Sequence, residues 1–299
     1  MVLTPEIWFV NLGIKINHLD RIAFTIFGID VYWYGIIIAF GMFLGLIVTL
    51  REAKITGQDT DFYIDTVIIS SIISILFARL YYVIFSWNYY KNHLDEIFSI
   101  RNGGIAIYGA IIGAVLSALI ICKVRKKNFF KVADTFSFGL LIGQIIGRWG
   151  NFVNREAFGG YTDSLFAMRY IKEQASNIPK DVLDKVININ GIDYIQVHPT
   201  FLYESLWNVG VLILLFIFKK YKKFNGQLMA IYFIGYGLGR VWIEGMRTDS
   251  LMIGATNIRV SQVLSVILVI VFFIYLIINL RKSKNISDMD ILLEGNEIK

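Results

Sequence analysis

Residues 147–160 read GRWGNFVNREAFGG. They follow an apolar run, Phe136 to Ile146, that is broken only by small or uncharged residues. The stretch therefore begins where a membrane-length helix is expected to end. It holds Arg148, Asn151, Asn154, Arg155 and Glu156, with Gly147, Gly150, Gly159 and Gly160 around them. An arginine at the end of a membrane helix is costly to place in hydrocarbon and so marks a functional site. The glycines let backbone come close to a ligand or take dihedrals closed to other residues. Arg148 and Arg155 offer planar forks suited to a phosphate, Asn151 and Asn154 donate and accept, and Glu156 can hold an arginine or take a proton. A polar cap where a helix leaves the bilayer is the plain alternative, but a cap needs only one or two such groups.

The rest of the chain supplies the membrane. Of 299 residues, 56% are hydrophobic and 17% charged, and the mean hydropathy is +0.59. A soluble domain of this size needs more charge to cover its surface. Apolar runs near twenty residues recur along the whole length, which predicts an all-α polytopic membrane protein with seven transmembrane helices. Spans are expected at about Val31–Leu50, Asp65–Phe85, Gly103–Cys122, Val132–Arg148, Thr200–Phe218, Leu228–Met246 and Val260–Leu280. They divide the chain into an extracytoplasmic N-terminal arm (1–30), four helices (31–150), a small extracytoplasmic head (151–197), three helices (198–280) and a cytoplasmic tail (281–299). In the head, VININGIDYIQV (Val186–Val197) alternates around Asn190-Gly191, a hairpin signal. Gly109 and Gly113, four apart, permit close helix packing.

Charge sets the orientation. Lys123, Arg125, Lys126, Lys127 and Lys131 form one basic loop, Lys219, Lys220, Lys222 and Lys223 another, and Arg281, Lys282 and Lys284 begin the tail. By the positive-inside rule these face the cytoplasm, which leaves the N-terminus, the head and the GRWGNF stretch outside. The net charge of +6 thus reflects topology, and no affinity for nucleic acid is inferred from it. A single cysteine, Cys122, excludes an internal disulfide, and neither a metal nor another cofactor is expected. No cleavable signal peptide is expected either, because the first apolar run starts late and lacks the basic, apolar, small-residue order.

Seven charged residues fall within spans or at their ends: Arg79, Arg148, Glu156, Glu204, Arg240, Glu244 and Arg247. Arg79 must snorkel outward or pair within the bundle. Arg240 and Glu244 share a helix face and can pair. Ion pairs that stitch helices are one reading of the set. Arginines converging on a phosphate, each gripping it with two parallel hydrogen bonds, are the other. Tyr34, Tyr108, Tyr203 and Tyr236 belong to a chain with 16 tyrosines and read equally well as belt or packing residues. His198, before Pro199, reads as a cap or turn residue rather than as a base.

Residues 147–159 meet every fixed position of G-R-x-G-N-F-x-N-x-E-x-x-G, and so resemble the signature of prolipoprotein diacylglyceryl transferases. The resemblance extends to Tyr34 in Trp33-Tyr34-Gly35, to Gly103, Gly104, Tyr108, Gly109 and Gly113, to His198, Pro199, Tyr203 and Glu204, and to Tyr236, Gly237, Arg240 and Glu244. It implies a seven-helix enzyme with an outside-facing head in the bacterial cytoplasmic (inner) membrane. The implied substrates are phosphatidylglycerol and the lipobox cysteine of a prolipoprotein signal peptide. The implied products are a diacylglyceryl thioether and glycerol 1-phosphate, in the first step of lipoprotein maturation. In that picture Arg148 and Arg240 hold the phosphate, Glu156 and Glu244 orient the arginines, Tyr34 and Asn151 bind headgroup oxygens, and Gly159 and Tyr236 complete the lipid site. Tyr108 stands where many members carry a histidine cast as the base. An unperturbed tyrosine ionises near pH ~10 and is a poor base at neutral pH, so either Tyr108 hydrogen-bonds substrate or the thiol is activated otherwise. Cys122, at the cytoplasmic end of the third span, is expected to be dispensable. The rival readings are a transporter of an anionic or phosphorylated solute and a membrane scaffold whose charges merely pair.

Overall fold

The computed structural model describes residues 5–99, 103–254, 256 and 258–296, with 285–296 as backbone only. Its helices are α1 (Trp33–Ile55), α2 (Thr60–Phe85), α3 (Trp87–Tyr90), α4 (Ile107–Val124), α5 (Phe129–Asn154), α6 (Lys180–Leu183), α7 (Thr200–Lys219), α8 (Gln227–Met246) and α9 (Val260–Asn296). Its strands are β1 (Ile7–Phe9), β2 (Ile14–Ile16), β3 (Ile22–Ile26), β4 (Ile29–Tyr32), β5 (Met168–Ile171), β6 (Ile187–Ile189) and β7 (Ile192–Val197). The molecule is mostly helical, but the expected all-α class is corrected. A five-stranded sheet runs in the order β2-β1-β5-β7-β6, with every pairing antiparallel. The N-terminal arm and the head, read separately from the sequence, therefore share one sheet. Strands of three or four residues are too short to show an alternation of their own, and only cross-strand pairing reveals it. Ile7 faces Tyr170 and Phe9 faces Met168, while Met168 and Tyr170 in turn face Val197 and Ile195. All six side chains are buried in one core. The predicted hairpin is present: Asn190 and Gly191 both take positive φ, 53° and 81°, as a two-residue turn between twisted strands requires.

Among the described residues, six helices are long and apolar enough to cross a membrane: α1, α2, α4, α5, α7 and the Val260–Lys284 part of α9. α8 has 20 residues and is not among them, because its glycines and the Arg240–Glu244 pair dilute its apolar residues. α5 continues past Arg148 to Asn154, so the first half of the GRWGNF stretch is helix rather than exit loop.

The chain forms two compact units, 46–136 and the remainder, 1–45 with 137–299. In the unit 46–136, α4 lies tightly on α2. A Cβ placed on Gly109 would meet the Tyr81 Cβ at 2.6 Å, and one on Gly113 would meet the Phe77 Cβ at 2.8 Å, so the glycine pair provides the close approach expected of it. Arg79 pairs within this unit. Its guanidinium donates to the carbonyls of Glu96 (2.6 Å), Ile97 (2.7 Å), Gly104 (2.8 Å) and Gly103 (3.0 Å) and lies over the Tyr90 ring at 5.2 Å. With four N–H groups committed to one loop, Arg79 is a clamp and not a free anion ligand.

In the other unit the sheet sits on the end of α5 and the start of α7. Phe152 and Val153 of α5 and Phe201 of α7 join Ile7, Phe158, Tyr170 and Ile195 in the head's core. Arg155 fastens this body. It follows α5 in a left-handed conformation, φ 53°, which turns its side chain away from the helix axis and into the head. There it is 3% exposed, and its Nη2 donates to Glu6 Oε2 at 2.7 Å and to the Leu19 carbonyl at 2.6 Å. Burial lowers the guanidinium's pKa from its ordinary value, and the charge of Glu6 opposes that shift. The expectation that Arg155 offers a phosphate fork is thereby corrected: its fork is used to tie the N-terminal arm to the head. Removing one partner of a buried pair leaves the other charge uncompensated. Arg155→Ala is expected to cost on the order of 3 kcal/mol of stability, measured by denaturant unfolding in detergent. Arg155→Lys should recover only part, because a single ammonium does not reproduce the two-acceptor fork.

Candidate active site

Three helix ends bring the charged residues together. Glu204 lies in the first turns of α7, Arg148 near the end of α5, and Arg240 and Glu244 near the end of α8. The backbone beyond α5 is laced to the other two. Gly159 N–H donates to the His198 carbonyl (3.0 Å), His198 N–H to that of Gly160 (3.0 Å), Gly160 N–H to that of Met246 (3.1 Å) and Thr248 N–H to that of Phe158 (3.3 Å). A Cβ on Gly159 would meet the His198 Cβ at 2.8 Å and the Met246 carbonyl at 3.0 Å. Gly159, expected in the lipid site, is thus a packing glycine whose N–H is already taken. Gly150 serves likewise on α5, where a Cβ would strike the Tyr34 ring at 2.8 Å. The ring packs against the helix at this glycine, within electrostatic reach of Arg148, Glu156 and Arg247.

The centre of the cluster is Glu204, with 4% of its side chain exposed. Arg148 Nη2 reaches Glu204 Oε2 at 2.8 Å, Arg240 Nη1 reaches it at 3.0 Å, and Arg247 Nη1 lies 3.8 Å from Oε1. Arg240 Nη1 is also 3.0 Å from Oε1, so it bridges both oxygens. Arg240 Nη2 pairs with Glu244, which accepts from Ser261 on α9 at 2.5 Å. Arg247 closes on Asp249 through two parallel bonds of 3.0 and 2.8 Å. Arg148 and Arg240 therefore point at the same carboxylate. A narrow pocket, too tight to admit a water molecule, is lined by Glu204, Trp207, Asn208, Tyr236, Gly239, Arg240 and Ile243.

Some expected partnerships differ. Glu244 does hold Arg240. Among the described residues, no arginine hydrogen-bonds to the Glu156 carboxylate. Its Oε1 accepts from Asn151 at 3.0 Å and from Asn154 at 3.4 Å, because the chain turns sharply after α5 and brings its carboxylate back over the last helical turn. The residue that orients the arginines is Glu204, which the HP-x-x-x-YE run contained but which its own spacing does not distinguish from a helix-start acid. Arg247 belonged to the seven charged residues read from the sequence, though no role was given to it, and Asp249 lay outside that set. Tyr236 lines the pocket and stacks on Tyr232. Tyr108 lies half-buried on α4 in the other unit. His198 has its Nδ1 3.3 Å from the Tyr203 hydroxyl, and burial lowers its pKa.

The arrangement makes Glu204 the most costly charge to remove. Glu204→Gln, which keeps shape and deletes the carboxylate, is expected to lower stability by about 3–5 kcal/mol. Asp249→Asn, on a carboxylate 24% exposed, should cost much less. Denaturant unfolding of both variants in detergent checks the order.

Comparison with known proteins shows the family. The family model described as "Prolipoprotein diacylglyceryl transferase" matches residues 21–278. A phosphatidylglycerol–prolipoprotein diacylglyceryl transferase of Clostridioides difficile (strain 630) is 43% identical over 267 residues, covering 89% of this chain and 98% of that one. The like-named proteins of Finegoldia magna and Bacillus cereus (strain Q1) are 45% and 44% identical, covering 84% and 88% of this chain and 92% and 93% of theirs. With the match running from before α1 into α9, this chain belongs to the prolipoprotein diacylglyceryl transferase family.

Proposed function

We propose that this multi-pass membrane protein transfers the diacylglyceryl group of phosphatidylglycerol to the thiol of the lipobox cysteine of prolipoproteins. It is a transferase of lipoprotein biosynthesis by family. Sulfur, entering as thiolate, attacks the glyceryl carbon that bears the phosphate. The C–S bond forms as the C–O bond breaks, and glycerol 1-phosphate leaves with the electron pair. A free cysteine titrates near pH ~8.5, and a cationic surface raises its thiolate fraction.

The observation that carries this reading is an asymmetry among the arginines. Arg240 and Arg247 are tied into Glu204, Glu244 and Asp249. Arg148, 20% exposed, meets Glu204 through Nη2 alone, which leaves most of its fork for a phosphate. The carboxylates hold the cations in place before substrate arrives, so no reorganisation is needed as charge grows on the departing phosphate. Tyr34 and Asn151 flank this fork and supply hydrogen bonds to headgroup oxygens.

The basic loops orient the protein in the cytoplasmic membrane with the N-terminus and the sheet outside and the C-terminus in the cytoplasm. With α8 counted as a span, the total is seven in this reading. Its charges are tolerated because Glu204 and Ser261, on neighbouring helices, satisfy them.

The test is incubation of purified protein with phosphatidylglycerol and a lipobox peptide, with mass spectrometry of the peptide. Added diacylglyceryl is expected. Phosphate flux into vesicles without lipid turnover would instead favour a transporter. Arg148→Ala should lower transfer by at least about 100-fold, and Arg148→Lys should not restore it, because an ammonium cannot grip phosphate with a planar fork. Cys122→Ser should transfer at the normal rate. Near-normal transfer by Arg148→Ala would remove the phosphate role.

A further inference from the structure

Among the described residues, Gln144 Oε1, close to the arginine cluster, is one of the buried polar atoms without a partner. Gln144 lies one turn before Arg148 on α5, on the same helix face. Its Nε2 donates to the Tyr232 hydroxyl at 2.8 Å, while its Oε1 is buried with no hydrogen bond among the described residues. Tyr232 stacks on Tyr236, ring centroids 5.9 Å apart, and Tyr236 lines the pocket with Glu204 and Arg240. The Gln144 amide thus sits at the inner end of that wall, held at one end and unmatched at the other. An unmatched amide end in an apolar setting is expensive, and a native group left so calls for an explanation.

Depth narrows what would match it. Four residues of helix place Gln144 about 6 Å from Arg148 along the axis, toward the middle of α5 and so deeper in the bilayer. This step rests on the transferase reading, in which Arg148 holds the phosphate of phosphatidylglycerol. One headgroup length below that phosphate, the lipid carries its glyceryl esters, whose carbonyls only accept hydrogen bonds. A glutamine amide serves them if it turns its NH2 outward, and Tyr232 permits this because a phenol donates as readily as it accepts.

We propose that Gln144, anchored by Tyr232, donates a hydrogen bond to an ester carbonyl of the bound lipid. It is a binding residue that makes the protein prefer diacyl over dialkyl glycerophospholipid. The bond fixes the glyceryl backbone one turn below the phosphate and presents the reacting carbon to the thiol.

The experiment compares diacyl phosphatidylglycerol with its dialkyl ether analogue, which lacks both carbonyls, as donors to one lipobox peptide. One hydrogen bond predicts that the unaltered protein uses the diacyl lipid with roughly fivefold higher kcat/KM. Gln144→Met, similar in volume but without an amide, should bring that ratio to about one. Tyr232→Phe, which releases the anchor, should reduce it in part. A Gln144→Met protein that slows on both lipids equally, keeping the ratio, overturns the proposal. Equal use of the two lipids by the unaltered protein also overturns it, whatever the stability of the variants. Failure of the unaltered protein to transfer from either lipid would overturn the transferase reading itself, which separates the two failures.

Discussion

The site depends on a carboxylate in an apolar place. Glu204, with 4% of its side chain exposed, has three guanidinium groups within 4 Å, contributed by α5, the end of α8 and the residue just beyond it. Burying such a group alone is prohibitive, and it stays charged in a bundle only when cations reach it. The requirement acts in both directions. Arg148 and Arg240 lie in segments that a bilayer would otherwise reject, and Glu204 makes them tolerable there. The same pairing that lets the helices carry arginines also aims those arginines at one point.

The arginines then separate by what they bind. Arg79 donates to four backbone carbonyls and Arg155 to one carboxylate and backbone oxygens. Each is engaged within its own unit and holds a loop or an arm in place. Arg148, Arg240 and Arg247 share carboxylates instead, and a carboxylate lattice can admit a phosphate because both present oxygens of similar geometry to the same forks. The head contributes indirectly. Its sheet is seated on the ends of α5 and α7, and the backbone bonds from Phe158, Gly159 and Gly160 to His198, Met246 and Thr248 set where Arg247 emerges. Loosening the Arg155–Glu6 tie therefore bears on the site through position, not through contact.

Much of this was legible in the sequence. Residues 147–160, the apolar runs and the basic loops establish a polytopic membrane protein with polar chemistry at one helix end, because hydrocarbon leaves few alternatives for such composition. The pairing of Arg240 with Glu244 follows from their spacing of four, and the turn at Asn190-Gly191 from its residue types. These are local properties: a period, a dipeptide, a charge in the wrong solvent. The identity of the hub was not local. Glu204 lies 36 and 56 residues from Arg240 and Arg148, and no spacing rule reaches so far. The same holds for Arg155, read as a phosphate ligand from its neighbours in sequence until one left-handed residue turned it toward Glu6, and for strands β1 and β5, whose alternation emerges only when they pair. The sequence by itself determined that arginines and acids must meet inside a membrane. Tertiary structure alone decided which of them meet each other and which remain open to a ligand, because that choice is made by the crossing of helices far apart in the chain.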